Sequence, residues 1–112
     1  MMKTVVMTAV LALGFAVGVS AQDAKKIAVG KAAYEKHGCV KCHQIDGKGS
    51  KISPLDGVGT KLTEAEIRQW LVDPDTMTAK LPKKPTVRMK KQTLTEAEVD
   101  GLVAYLASLK KK

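Results

Sequence analysis

Five consecutive residues, Cys39-Val40-Lys41-Cys42-His43, constrain this chain most, because they hold its only two cysteines and one of its two histidines. Two thiols three positions apart, with an imidazole directly behind them, suit few chemistries. A thioredoxin-like redox pair needs a strand before the motif and a βαβ setting, and no such pattern surrounds these residues. A zinc site needs a fourth ligand, and the remaining histidine, His37, stands six residues away on a predicted helix. A plain structural disulfide leaves His43 without a role. The spacing is instead that of covalent c-type haem attachment: each thiol adds to one vinyl group, and the adjacent imidazole is held beneath the iron as an axial ligand.

The N-terminal stretch reads as a secretory signal peptide, residues 1–21. Lys3 supplies a positive start, and Val19-Ser20-Ala21 is a small-residue cleavage site. The apolar run between them, Val5 to Val19, falls short of the ~20 residues that span a bilayer. Cleavage after Ala21 leaves one domain, residues 22–112. The alternative, an uncleaved membrane anchor, exports the folded part equally, and export suits haem attachment, which in bacteria takes place outside the cytoplasm. Beyond the leader the only aromatics are Tyr34, Trp70 and Tyr105. So small a domain with so few large side chains has room for a bulky apolar cofactor in its core. Lys and Arg total 19 against 11 Asp and Glu, a net charge of +8, which favours anionic partners and steers their approach. An exported protein rarely meets nucleic acid, so acidic protein surfaces are the expected partners.

Three helices are predicted. The first runs from about Ala24 to His37, with Ile27, Gly30 and Tyr34 on one face and Gly38 as its stop. The second starts at the capping box Thr63-Glu64-Ala65-Glu66, carries Ile67, Trp70 and Leu71, and ends near Asp73-Pro74. The third starts at a second capping box, Thr95-Glu96-Ala97-Glu98, and its apolar face is Val99, Leu102, Val103, Leu106 and Leu109. Leu-Thr-Glu-Ala-Glu thus occurs at 62–66 and 94–98, but the flanking residues differ, so these are two uses of one helix start rather than a repeat. No segment alternates as a strand should, and the pattern is all-α. The connections 44–62 and 74–94 are long, as expected of loops that wrap a cofactor.

With these features in place the chain resembles the small class I, mitochondrial-type monohaem cytochromes c of bacteria. The resemblance covers nearly all of residues 22–112. It rests on Gly30 and Tyr34, the Cys39–His43 motif, Ser53-Pro54-Leu55-Asp56-Gly57-Val58-Gly59, a Trp-bearing middle helix, a Met before the last helix, and Asp100-Gly101-Leu102-Val103-Ala104-Tyr105-Leu106. Four-helix-bundle cytochromes carry the attachment motif near the C-terminus and do not fit. The resemblance implies an all-α cytochrome c fold, three main helices with long loops wrapped around one covalently bound haem c. Its terminal helices would cross at Gly30 and Tyr34 against Leu102 and Tyr105. It implies attachment through Cys39 and Cys42, with His43 and Met89 as the iron ligands. Met77, close behind the middle helix, is the other candidate, and Lys90 stands where the family often has Pro after the ligand Met. It also implies that the Pro54 carbonyl accepts the His43 Nδ1–H bond, although Ser53 occupies a position where the family usually has Gly. Trp70 would donate its indole N–H to a haem propionate.

The expected function is that of a periplasmic electron carrier, soluble and monomeric, that breaks no substrate bond and is not an enzyme. An alternative is a haem c subunit or dedicated electron acceptor of a larger oxidoreductase. A different class, a five-coordinate ligand binder or peroxidatic enzyme, follows if no Met ligates the iron. Lys80, Lys83, Lys84, Arg88, Lys90 and Lys91, with Lys41 and Lys48, are expected to ring the haem edge and orient acidic redox partners. Membrane contact is expected only through those partners, and no nucleic acid.

Overall fold

A computed structural model describes residues 21–111. The expected leader therefore lies outside the described residues, Ala21 excepted. Helix α1 (Ala21–Lys36) begins slightly earlier than its apolar face suggests, with Asp23 in the first turn and Lys36 in the last, both complementing the helix dipole. Its buried residues are Gly30, Ala33 and Tyr34. Helix α5 (Glu96–Ala107) buries Val99, Gly101, Leu102, Val103 and Leu106. The two helices cross backbone to backbone. A Cβ on Gly30 would lie 2.7 Å from Tyr105 Cβ and would collide with the Gly101 carbonyl, while a Cβ on Gly101 would lie 2.7 Å from the Gly30 nitrogen. Tyr34 and Tyr105 then meet edge to face, centroids 6.0 Å apart at 78°. The expected crossing is present, and Gly101 is the member that the sequence pattern did not single out.

Helix α3 (Glu64–Val72) starts with the anticipated capping box at Thr63, as α5 does at Thr95. It packs Ile67 and Leu71 into the shared core, and Arg68 Nη2 reaches Asp100 on α5 at 2.6 Å. Both long connections hold more structure than expected. The first contains a short helix α2 (Val58–Lys61) and three strands, β1 (His43–Ile45), β2 (Lys48–Gly49) and β3 (Ser53–Pro54), in the order β2-β1-β3. The all-α expectation holds for the body of the fold, which is mostly helical, and the small sheet is an addition within the first connection. Strands of two or three residues are too short for alternation to register, but the β1–β2 turn carried a signal. Asp46 and Gly47 both have positive φ, 50° and 78°, and Asp-Gly is favoured in such two-residue hairpin turns.

The second connection contains helix α4 (Pro74–Ala79). Asp73 caps it by accepting the Thr76 N–H, and Pro74 occupies the first turn, where its missing donor is harmless. Asp73-Pro74 thus ends one helix and starts the next. What remains irregular is Lys80 to Thr95. Among the described residues no helix is long and apolar enough to cross a membrane.

Candidate functional site

The motif is held between α1 and β1. Gly38 turns the chain with φ 67°, and Cys39–Lys41 form one 3₁₀ turn that Cys42 closes by donating its N–H to the Cys39 carbonyl at 3.1 Å. The Ser50 N–H reaches both the Val40 and the His43 carbonyls, at 3.0 and 3.1 Å, tying the hairpin to the motif. Both cysteines are free thiols; Cys39 is half-buried against the core and Cys42 is exposed. Burial pushes the Cys39 thiol above its ordinary pKa, helped by the nearby Cys42 and opposed by a backbone hydrogen bond. An activated redox dithiol needs its thiol pKa lowered, so this setting does not suit thioredoxin chemistry. Among the described residues no group of three or more His, Cys, Asp and Glu is placed to hold a metal ion, which leaves the zinc reading without a ligand set.

His43 is half-buried, with Nδ1 at 2.9 Å from the carbonyl of Ser53. A carbonyl only accepts, so Nδ1 carries a proton, and in the neutral ring Nε2 keeps its lone pair. The accepting carbonyl is thus Ser53's, not Pro54's as the resemblance implied. The reason is register: β1 and β3 run parallel with His43 beside Ser53 and Gln44 beside Pro54. Ser53 and Leu55 donate to the Cys42 and Gln44 carbonyls, and Pro54 falls between them, where no ladder donor is required.

From residue 82 to 93 every side chain is exposed except Met89, which is half-buried and packs against the core cluster. Met77 is half-buried within α4. Trp70 is half-buried on α3, and its indole N–H makes no hydrogen bond among the described residues. His37 Nε2 lies 2.8 Å from the Glu98 carboxylate, so its ring is engaged within the protein.

A model of the family described as Cytochrome c matches residues 27–110. The chain belongs to the cytochrome c family. Comparisons with curated proteins and with solved structures found no match. Membership identifies a class I, single-haem cytochrome c whose cofactor is covalent haem c and whose chemistry is haem-based electron transfer. Cytochrome c domains are generally electron carriers rather than enzymes and are often secreted or periplasmic.

The residues present fit that cofactor. This cytochrome offers two unpaired thiols, an imidazole whose Nε2 is left as an acceptor, and a buried Tyr34 hydroxyl without a partner beside the motif. Burial raises the Tyr34 pKa to about 12, so the hydroxyl stays a neutral donor. The basic residues divide into two groups. Lys84 is spent on the fold: its Nζ donates to the Thr78, Ala79 and Leu81 carbonyls at 3.4, 2.5 and 3.5 Å, closing the end of α4. Lys80, Lys83, Arg88, Lys90 and Lys91 are exposed, with Arg88 only loosely paired to Asp75 at 3.8 Å.

Proposed function

We propose that this cytochrome is a soluble periplasmic carrier that moves single electrons through a haem held by His43 and Met89. When bound, haem c supplies the exchange of one electron between ferrous and ferric iron. Cys39 and Cys42 anchor it, and the exposed Cys42 side leaves one edge near solvent. The Ser53 carbonyl orients the His43 ring and raises the basicity of Nε2. The Trp70 indole N–H, lacking a protein partner, is available to a propionate. The observation that carries the ligand assignment is the burial of Met89 amid exposed neighbours. A Met drawn inward from an otherwise solvated segment has a role there that its neighbours lack.

With both iron positions filled by side chains, the chain governs electronics and docking rather than bond-breaking, which favours a carrier over an enzyme. Lys80, Lys83, Arg88, Lys90 and Lys91 lie on or beside that segment. They give acidic redox proteins a surface that speeds encounter more than it tightens binding. The reading is tested by optical spectra of the holoprotein beside Met89→Ala and Met77→Ala. Met89→Ala should abolish the sulfur-to-iron charge-transfer band of the ferric form, and Met77→Ala should keep it. The opposite pattern would reassign the ligand.

A further inference from the structure

We infer that Glu98 is a positioning residue for Met89: its single carboxylate locks the start of α5 to the end of α1 and so fixes the Met89 segment relative to the attachment turn. The inference rests on the ligand reading above.

The Met89 segment has little structure of its own. No residue from 82 to 94 makes a backbone-to-backbone hydrogen bond, so beyond the packing of Met89 and Leu94 against the core its place is set at its two ends. Lys84 secures the entry, through the α4 carbonyls. The exit is Thr95, six residues after Met89. There Glu98 Oε1 accepts the Thr95 N–H at 3.0 Å while Thr95 Oγ1 accepts the Glu98 N–H at 3.1 Å. The other oxygen, Oε2, faces α1, with His37 Nε2 at 2.8 Å and Lys36 Nζ at 3.8 Å. His37 precedes Cys39 by two residues. One side chain therefore joins the base of the Met89 segment to the base of the haem-attachment turn.

The other copy of Leu-Thr-Glu-Ala-Glu shows that this is more than a helix cap. Glu66 closes the same capping box at Thr63, but it is exposed, and its carboxylate accepts from Thr63 alone among the described residues. The Glu98 and His37 side chains are only 14% and 15% exposed, so the contact between them is shielded from competing water. The hydrogen bonds it makes hold the carboxyl down at a pKa of about 2, keeping it ionised and able to accept at neutral pH.

The test is the rate at which imidazole binds the ferric holoprotein, because entry requires Met89 to leave. Glu98→Gln and His37→Ala should each raise that rate about tenfold or more, the loss expected when one charge-assisted hydrogen bond is cut. His37→Gln keeps an amide donor and should stay near the parent rate. Glu96→Gln removes the same charge from the same turn without touching the tie, and should also stay at the parent rate. If Glu98→Gln does not fold, His37→Ala carries the test, since it leaves the capping box intact. A parent rate for both tie-cutting variants, or an equal acceleration in Glu96→Gln, overturns the role of Glu98. A parent without the sulfur-to-iron band overturns the ligand reading and Glu98's role together. A band that is present and lost only in Met89→Ala, with unchanged rates in the Glu98 and His37 variants, overturns Glu98's role alone.

Discussion

The α1–α5 crossing and the Met89 segment are built on opposite principles. At the crossing two glycines let backbones touch, Leu102 is 1% exposed, and Tyr34 meets Tyr105 edge to face. In the segment 82–94 the backbone makes no hydrogen bond to other backbone, and only Met89 and Leu94 turn inward. The first region spends side chains on packing; the second spends almost none. The difference separates stability from ligand chemistry: substitutions at the crossing should lower the stability of the fold, and loss of Met89 should change the iron site of a protein that stays folded.

The largest effect is expected where the crossing leaves no room. Gly101→Val puts side-chain atoms against the Gly30 backbone and the Lys26 carbonyl, neither of which can swing away. It should cost about 3 kcal/mol or more, beyond ordinary overpacking, read as a fall in the denaturant midpoint of the holoprotein. Leu102→Ala should follow at about 2–5 kcal/mol from lost burial and the residual cavity. If either left the midpoint unchanged, the crossing would not be the keystone of the fold.

Met89→Ala sharpens the contrast from the other side. Its midpoint should fall by less than that of Leu102→Ala, since Met89 is only half-buried, while the sulfur-to-iron band is lost. A larger loss of stability than Leu102→Ala would mean that the segment is part of the core after all.

Acid probes the place where the two regions are joined. The folded pKa of Glu98, about 2, lies below its ordinary 4.5, because it accepts the Thr95 N–H and the His37 bond. A depressed carboxyl stabilises the fold fully above its unfolded value and loses that contribution as pH falls through its folded value. Stability should therefore decline between roughly pH 4.5 and 2, and Glu98→Gln should flatten that part of the curve. A Glu98→Gln profile parallel to the parent's would show that other carboxylates carry the acid response.

What was legible in the sequence follows the same division. Both capping boxes, the α5 apolar face and the Gly30 and Tyr34 face of α1 could be read because each rests on local spacing that the fold merely completes. Gly101 could not, since a glycine inside a helix shows its purpose only against the backbone that crosses it. Helix α4 was hidden because Asp73-Pro74 is both a stop and a start, and β1–β3 because register, not composition, pairs residues 43 and 53. The same register moved the His43 partner from Pro54 to Ser53. The tie from Glu98 to His37 joins residues 61 apart, and no local pattern could announce it.

The smallest change in stability is expected at Arg88, next to Met89 yet pointing into solvent. Its contact to Asp75 spans 3.8 Å between side chains 67% and 76% exposed, and such pairs contribute at most about 1 kcal/mol and often nothing measurable. Arg88→Ala should leave the denaturant midpoint and the sulfur-to-iron band in place. It should nonetheless slow electron exchange with an acidic redox protein at low salt, because a charge beside the proposed docking edge acts on encounter. The deficit should shrink as ionic strength rises and the Debye length contracts to about 8 Å near 0.15 M. A deficit that persisted at high salt would place Arg88 in a short-range contact with the partner, and no deficit at any salt would move the docking face away from the Met89 segment.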